Sequence, residues 1–126
     1  MYEYGFKLDR VIDGDTVDGT IDLGFGISVK KRIRLLGINA PETRLQRKIK
    51  NETKRIAEKE LGLRAKDKLA DMLHNQEIII QTKLDKTGKF GRVLGTLLIN
   101  DFGIEEPRLN VNQFLLSKGY VRKYEE

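Results

Sequence analysis

The chain contains no cysteine, a single histidine and too few acidic residues to balance its basic ones. Without cysteine there can be no disulfide framework and no thiolate metal site. The lone histidine, His74, falls at the end of a helical pattern, where it caps the helix or faces solvent. No apolar run is long enough to cross a membrane, and the N-terminus carries no charged and apolar segments of a secretory signal. These absences predict a cytoplasmic protein with no membrane partner. The length, 126 residues, suits one domain spanning residues 1–126, and a monomer is expected.

What is present is positive charge, with a net value of +5. The excess is concentrated between Arg44 and Asn75, where ten Lys/Arg face five Asp/Glu. Such a segment attracts polyanions and raises their encounter rate. Arg47, Lys48 and Lys50 at its start are candidate contacts to a nucleic-acid backbone.

Local patterns set the order of elements. β-Branched residues, alternation and glycine breaks predict strands near Tyr4–Val11 and Thr16–Leu23, with a turn at Asp13-Gly14-Asp15 between them. Gly24–Gly26 reads as a hairpin turn. In the next strand Val29, Ile33 and Leu35 share one side and Lys30, Arg32 and Arg34 the other, which puts Arg34 on the polar face. A helix is predicted over Thr53–His74. Two apolar sets support it: Ile49, Ile56, Leu63 and Ala70 at sevenfold spacing, and Leu61, Ala65, Leu69 and Met72/Leu73 at three or four. Arg44–Glu52 is either a basic loop or an irregular helix start. Glu77–Lys83 is a short buried strand, Leu84–Arg92 a turn-rich loop, and the residues after it an outgoing strand. Asn110, with Gln113 three residues on, opens a final helix that Gly119 ends. Three strands, a helix, two strands and a helix leave too few crossovers for a doubly wound sheet. They suit an α+β, mainly β fold: a five-stranded Greek-key barrel of the OB type.

Acids and arginines recur in Val11–Thr16, Arg34–Thr43, Asp85–Arg92 and Gly119–Tyr124. Phosphodiester cleavage needs such groups: a cation to neutralise a phosphate oxygen, a carboxylate to activate water, and arginines for the charge that develops at phosphorus. Asp13-Gly14-Asp15 is not an EF-hand loop, because Val17 and Asp18 occupy the positions that need a ligand and a glycine.

Together, "VIDGDT", "RLLGINAPET" and "KFGR" resemble the staphylococcal (micrococcal) nuclease family, over about Lys7 to Tyr124. The resemblance implies the OB-type barrel with about three helices. It also implies a calcium-dependent endonuclease, largely indifferent to sequence, that hydrolyses DNA or RNA phosphodiesters to 3′-phosphate ends. Asp15 corresponds to a metal-binding carboxylate, and Ala40 to a residue that ligates calcium through its carbonyl. Arg34 and Arg92 correspond to the phosphate-binding arginines and Glu42 to the carboxylate that activates water. Lys89 and Phe90 match a Lys-Tyr pair that binds nucleotide, and Tyr120 the first of two tyrosines whose second falls on Arg122. Asn39 stands where the family has a metal-ligating Asp. The alternative is an OB-type barrel that binds nucleic acid with catalysis impaired.

Overall fold

Strand β1 (Tyr2–Asp13) turns at Gly14-Asp15 into β2 (Thr16–Gly24), which returns through Phe25-Gly26 as β3 (Ile27–Leu35). The second turn needs left-handed backbone at three successive residues, Gly24, Phe25 and Gly26. Two glycines adopt it without a Cβ penalty, while Phe25 projects fully into solvent. The computed structural model describes residues 2–83, 92–101 and 104–125, with the backbone alone at 101 and 104–107.

A two-residue strand β4 (Ile38–Asn39) precedes helix α1 (Glu52–Leu73), after which come β5 (Ile78–Lys83), β6 (Arg92–Asp101) and β7 (Ile104–Asn110). Helix α2 (Val111–Ser117) and a two-residue strand β8 (Arg122–Lys123) complete the chain. Strands β3, β2, β1, β5 and β6 pair antiparallel in that order, and parallel pairing of β3 with β6 closes the ring. The result is the expected five-stranded, OB-type barrel. β7 extends it from the edge of β6, and β4 pairs with β8 as a separate ribbon. Two helices are present among the described residues, against about three expected. The segment from Arg44 to Asn51 holds no regular helix. β7 has no counterpart among the strands expected from sequence.

The barrel interior is apolar because alternation sends Val17, Ile21, Ile33, Leu35, Ile80, Leu97 and Ile99 inward. α1 seals one side with a stripe at helical spacing, Gly62, Ala65, Leu69 and Leu73. The sevenfold set does not make this face. Ile56 and Leu63 are exposed, as is Leu61. Asn51 caps α1 by accepting from Lys54 N (3.1 Å), and Asn110 caps α2 by accepting from Gln113 N (3.0 Å). Gly119, at φ +78°, ends α2. There the Gly119 and Tyr120 amides donate to Leu116 and Leu115 carbonyls, a Schellman closure.

One buried side chain locks the barrel seam. Asn112 accepts from Leu97 N (3.2 Å) and donates to Leu36 O (2.9 Å) and Gly95 O (3.1 Å). It thereby joins α2, β6 and the chain leaving β3. No described helix is long and apolar enough to cross a membrane.

Candidate active site

The outer face of the barrel seam carries the charged residues. Register sets Thr16 and Leu94 beside Arg34, and Asp18 and Arg92 beside Arg32. Arg34 is nonetheless buried, at 8% exposure. The ribbon of β4 and β8 runs beside it, with Asn39 opposite Arg122. Tyr124 N donates to Gly37 O (2.9 Å), and the Tyr124 ring lies 5.5 Å from the guanidinium carbon of Arg34. Arg34 Nη1 donates to Leu35 O (3.1 Å) and stands 3.6 Å from Asp15 Oδ2, while Nη2 donates to Asn39 Oδ1 (3.2 Å). A buried guanidinium without such partners would carry a desolvation penalty of several kcal/mol. These contacts hold its planar fork in one orientation.

Asp15 is buried as well. Its Oδ1 accepts from the Thr16 hydroxyl (2.8 Å), its Oδ2 from the Ala40 amide (2.7 Å), and its carbonyl from Leu35 N (2.7 Å). One residue thus ties the β1–β2 turn to the end of β3 and to the segment that carries Glu42.

Glu42 is exposed. It lines a cleft of about 660 Å³ with Asn39, Ala40, Lys48, Lys54 and Arg122. Its backbone is set by α1. A Cβ on Gly62 would overlap the Glu42 carbonyl carbon and oxygen, and one on Gly14 would come within 2.6 Å of Ala65 Cβ and 3.0 Å of Ala40 Cβ. A mid-helix glycine costs about 0.5–1 kcal/mol relative to alanine, and this close approach explains why the helix tolerates one. Gly62 is a positioning residue absent from the set expected from sequence. Its one signal there is a glycine inside a strongly helical pattern.

The other expected residues fall into three groups. Arg92 begins β6, half-buried, on the same outer face as Arg34 and diagonal to it. Arg47 and Lys48 line a neighbouring cleft with Glu42, while Lys50 is exposed and lines neither cleft. Tyr120 sits apart, in a cleft between α1 and α2. Lys89 and Phe90 lie outside the described residues. Tyr124, stacked on Arg34, is a further addition to the expected set. The β4–β8 register that brings it there leaves no local pattern in the sequence.

Asp18 moderates the positive field of this face. It accepts from Arg32 Nε (2.8 Å), Arg32 Nη2 (3.1 Å) and Arg10 Nε (3.1 Å). The hydrogen bonds from Arg32 chiefly, then Arg10, hold its carboxyl below the ordinary range, against the opposing effect of burial.

The oxygens that the resemblance assigns to a metal are all hard: the Asp15 carboxylate and the Asn39 amide oxygen, both beside Arg34, and the Ala40 carbonyl. That chemistry fits calcium or magnesium rather than a softer ion. The charge count is low. No group of three His, Cys, Asp or Glu side chains that could hold a metal occurs among the described residues, and a guanidinium stands 3.6 Å from the one carboxylate.

A closed OB-type barrel with a buried acid–arginine pair beside an open cleft defines a class of domain suited to phosphate chemistry. A staphylococcal nuclease homologue family model matches residues 32–126, and the chain belongs to that family. The match takes in Arg34, Asn39, Ala40, Glu42 and Arg92, and starts after Asp15. Among curated proteins the chain is 31% identical over 117 residues to protein ParB of Escherichia coli, covering 91% of the chain and 54% of ParB. It is 30% identical over 123 residues to endonuclease YhcR of Bacillus subtilis, covering 97% of the chain and 9% of YhcR. It is 26% identical over 117 residues to a micrococcal nuclease of Shigella flexneri, covering 91% of the chain and 55% of that protein. The chain therefore spans about half the length of two of these relatives and a small part of the third.

Proposed function

We propose that this domain hydrolyses phosphodiester bonds of DNA or RNA with little regard to sequence. The observation that carries this reading is the Arg34 guanidinium, buried and held between Asp15 and Asn39 at the edge of the cleft that Glu42 lines. Arg34 and Arg92 bind the scissile phosphate through forked donors. Glu42 orients a water and takes its proton as the oxygen attacks phosphorus. The bond to the 5′ oxygen breaks, that oxygen takes a proton from solvent, and a 3′-phosphate remains. Asp15, Asn39 and the Ala40 carbonyl would hold calcium. When bound, the ion supplies neutralisation of a non-bridging phosphate oxygen. Contacts of this kind address phosphate and sugar, so base identity is scarcely read.

A plasmid-nicking assay with calcium, with magnesium and with chelator tests the proposal. Cleavage with calcium that chelator abolishes supports it. A second reading, binding without cleavage, rests on Asn39, whose amide oxygen faces Arg34 where a carboxylate would add negative charge. Asn39→Asp separates the two. If the unmodified protein neither binds metal nor cleaves while Asn39→Asp does both, the site is a disabled one.

A further inference from the structure

The turn between β1 and β2 carries two carboxylates, Asp13 and Asp15, on either side of Gly14. Asp15 is engaged with Arg34 and with the Ala40 amide. Asp13 has a different partner. Its Oδ1 accepts a hydrogen bond from the Thr43 hydroxyl at 2.9 Å, in a partly buried position, across a sequence separation of 30 residues. The β1–β2 register shifts between Val11 and Asp13, before Asp13 pairs with Thr16. An irregularity of this kind re-aims a side chain from the direction that strict alternation would give it.

Glu42 lies between the two attachments. Before it, the Ala40 amide donates to Asp15 Oδ2 (2.7 Å); directly after it, the Thr43 hydroxyl donates to Asp13 Oδ1 (2.9 Å). Gly14 lets the turn lie close on this segment, since a Cβ there would come within 3.0 Å of Ala40 Cβ. On the other side the Glu42 carbonyl packs against Gly62 of α1. Glu42 itself belongs to no helix or strand, and Pro41 has no amide hydrogen with which to anchor the chain. The place of the Glu42 backbone therefore rests on these flanking contacts. The Gly62 contact is steric and stops movement in one direction only. The Ala40 contact is separated from Glu42 by Pro41. The Thr43 contact is adjacent, and a β-branched side chain is stiff at χ1, so fixing its hydroxyl fixes the backbone beside Glu42.

We infer that Thr43 and Asp13 are positioning residues for Glu42, and that their hydrogen bond sets where the Glu42 carboxylate stands at the cleft. The two acids of the turn divide the work, Asp15 towards Arg34 and Asp13 towards Glu42. This rests on the proposed nuclease reading, in which Glu42 takes a proton from water. A misplacement of about 1 Å can cost about 10²-fold in rate, so a contact one residue from the carboxylate is read directly in turnover.

The test compares Thr43→Val, which keeps the shape and removes the donor, with Thr43→Ser, which keeps the donor. Asp13→Ala is made alone and together with Thr43→Val, and thermal melting verifies each fold. Thr43→Val is expected to lower kcat by up to about 10²-fold and leave KM nearly unchanged. Thr43→Ser should recover most of that loss. The double variant should be no slower than the slower single one, because both changes break the same contact. A second readout needs no cleavage of nucleic acid: limited trypsin digestion at Arg44, which is exposed and follows Thr43. Cutting there should be faster in Thr43→Val and return to the original rate in Thr43→Ser. An unchanged kcat in Thr43→Val would overturn the proposal. So would a Thr43→Ser protein as slow as Thr43→Val, which would assign the effect to packing. A slow Asp13→Ala beside a fully active Thr43→Val would overturn it too, because Asp13 would then serve the site without Thr43. Absence of cleavage by the unmodified protein would overturn the nuclease reading instead, and the cutting rates at Arg44 would still decide whether the contact holds the Glu42 segment.

Discussion

The two halves of the candidate site are built differently. Arg34 and Asp15 are both buried, and their side chains are engaged at 2.7–3.6 Å. Around Glu42 the chain has no regular structure from Pro41 to Asn51, and Arg44, Arg47, Lys48 and Lys50 are exposed. One anchor within that stretch is Arg55, which donates twice to Ile49 O, at 3.0 and 2.8 Å. Under the proposed function the buried half fixes where a phosphate sits, and it couples that position to stability. The open half carries the carboxylate and the flanking charge at little structural cost, so it can change without unfolding the barrel.

Substitutions can break or sharpen this contrast. The largest effect belongs to Glu42→Gln, which should lower turnover by about 10²–10⁴-fold and leave the melting temperature unchanged. An unaltered rate would remove Glu42 from water activation. Arg34→Lys should cost about 10²–10³-fold in turnover and, unlike Glu42→Gln, also destabilise the fold, because Lys has no fork to reach both Leu35 O and Asn39. Kinetics and urea unfolding of the same sample decide it, and full stability would mean the buried hydrogen bonds are dispensable. Gly62→Ala should destabilise by about 1–3 kcal/mol through overpacking against the Glu42 carbonyl, the reverse of the gain alanine gives in a free helix. A rise in the urea midpoint would show that α1 does not clamp the segment. Neutralising Arg47, Lys48 and Lys50 together should leave saturated turnover alone and flatten the salt dependence of duplex binding, by up to about 0.9 per phosphate left without its cation. An identical slope would make them ordinary surface.

The smallest effect is acid-dependent. The Asp18 pKa is depressed in the folded state. Its stabilising contribution is therefore full above the ordinary aspartate value of about 3.9 and fades as pH falls through the lower, folded value. Asp18→Asn should reduce stability at neutral pH and flatten that acidic limb. Parallel stability curves for the two proteins over the acid range would assign the limb to other carboxylates.

Much of this arrangement is legible in the sequence, and the reason is periodicity. Alternation in Val29–Leu35 marks the inner face, and the caps at Asn110 and Gly119 follow from local chemistry. Arg34 lies on the face of β3 that alternation predicts, but it is buried where a polar face suggests the surface. Its burial comes from a ribbon joining Gly37–Asn39 to Arg122–Tyr124, which no local pattern encodes. Two apolar sets predict α1, and the barrel uses only the one through Ala65, Leu69 and Leu73. The clamp at Gly62 depends on a backbone that arrives from Pro41–Glu42, so the glycine reads as a weakness until that approach is known. β7 is hidden because Glu105, Glu106 and Pro107 break the alternating hydrophobic signal of a strand.

The parallel pairing of β3 with β6 sets the order in which the site can come into being. It joins Arg34 to Leu94 and Arg32 to Arg92 across a loop that contains α1 and β5, whereas the pairings of β1 with β2, β2 with β3 and β5 with β6 join neighbours in sequence. Closing a long loop costs chain entropy that a hairpin does not. A chain with its hairpins formed and the ring still open would hold Arg34 and Arg92 apart, with almost all of its strand content already in place. Under the proposed function, recovery of phosphate binding during refolding reports ring closure, and it should lag behind the far-ultraviolet signal of the strands.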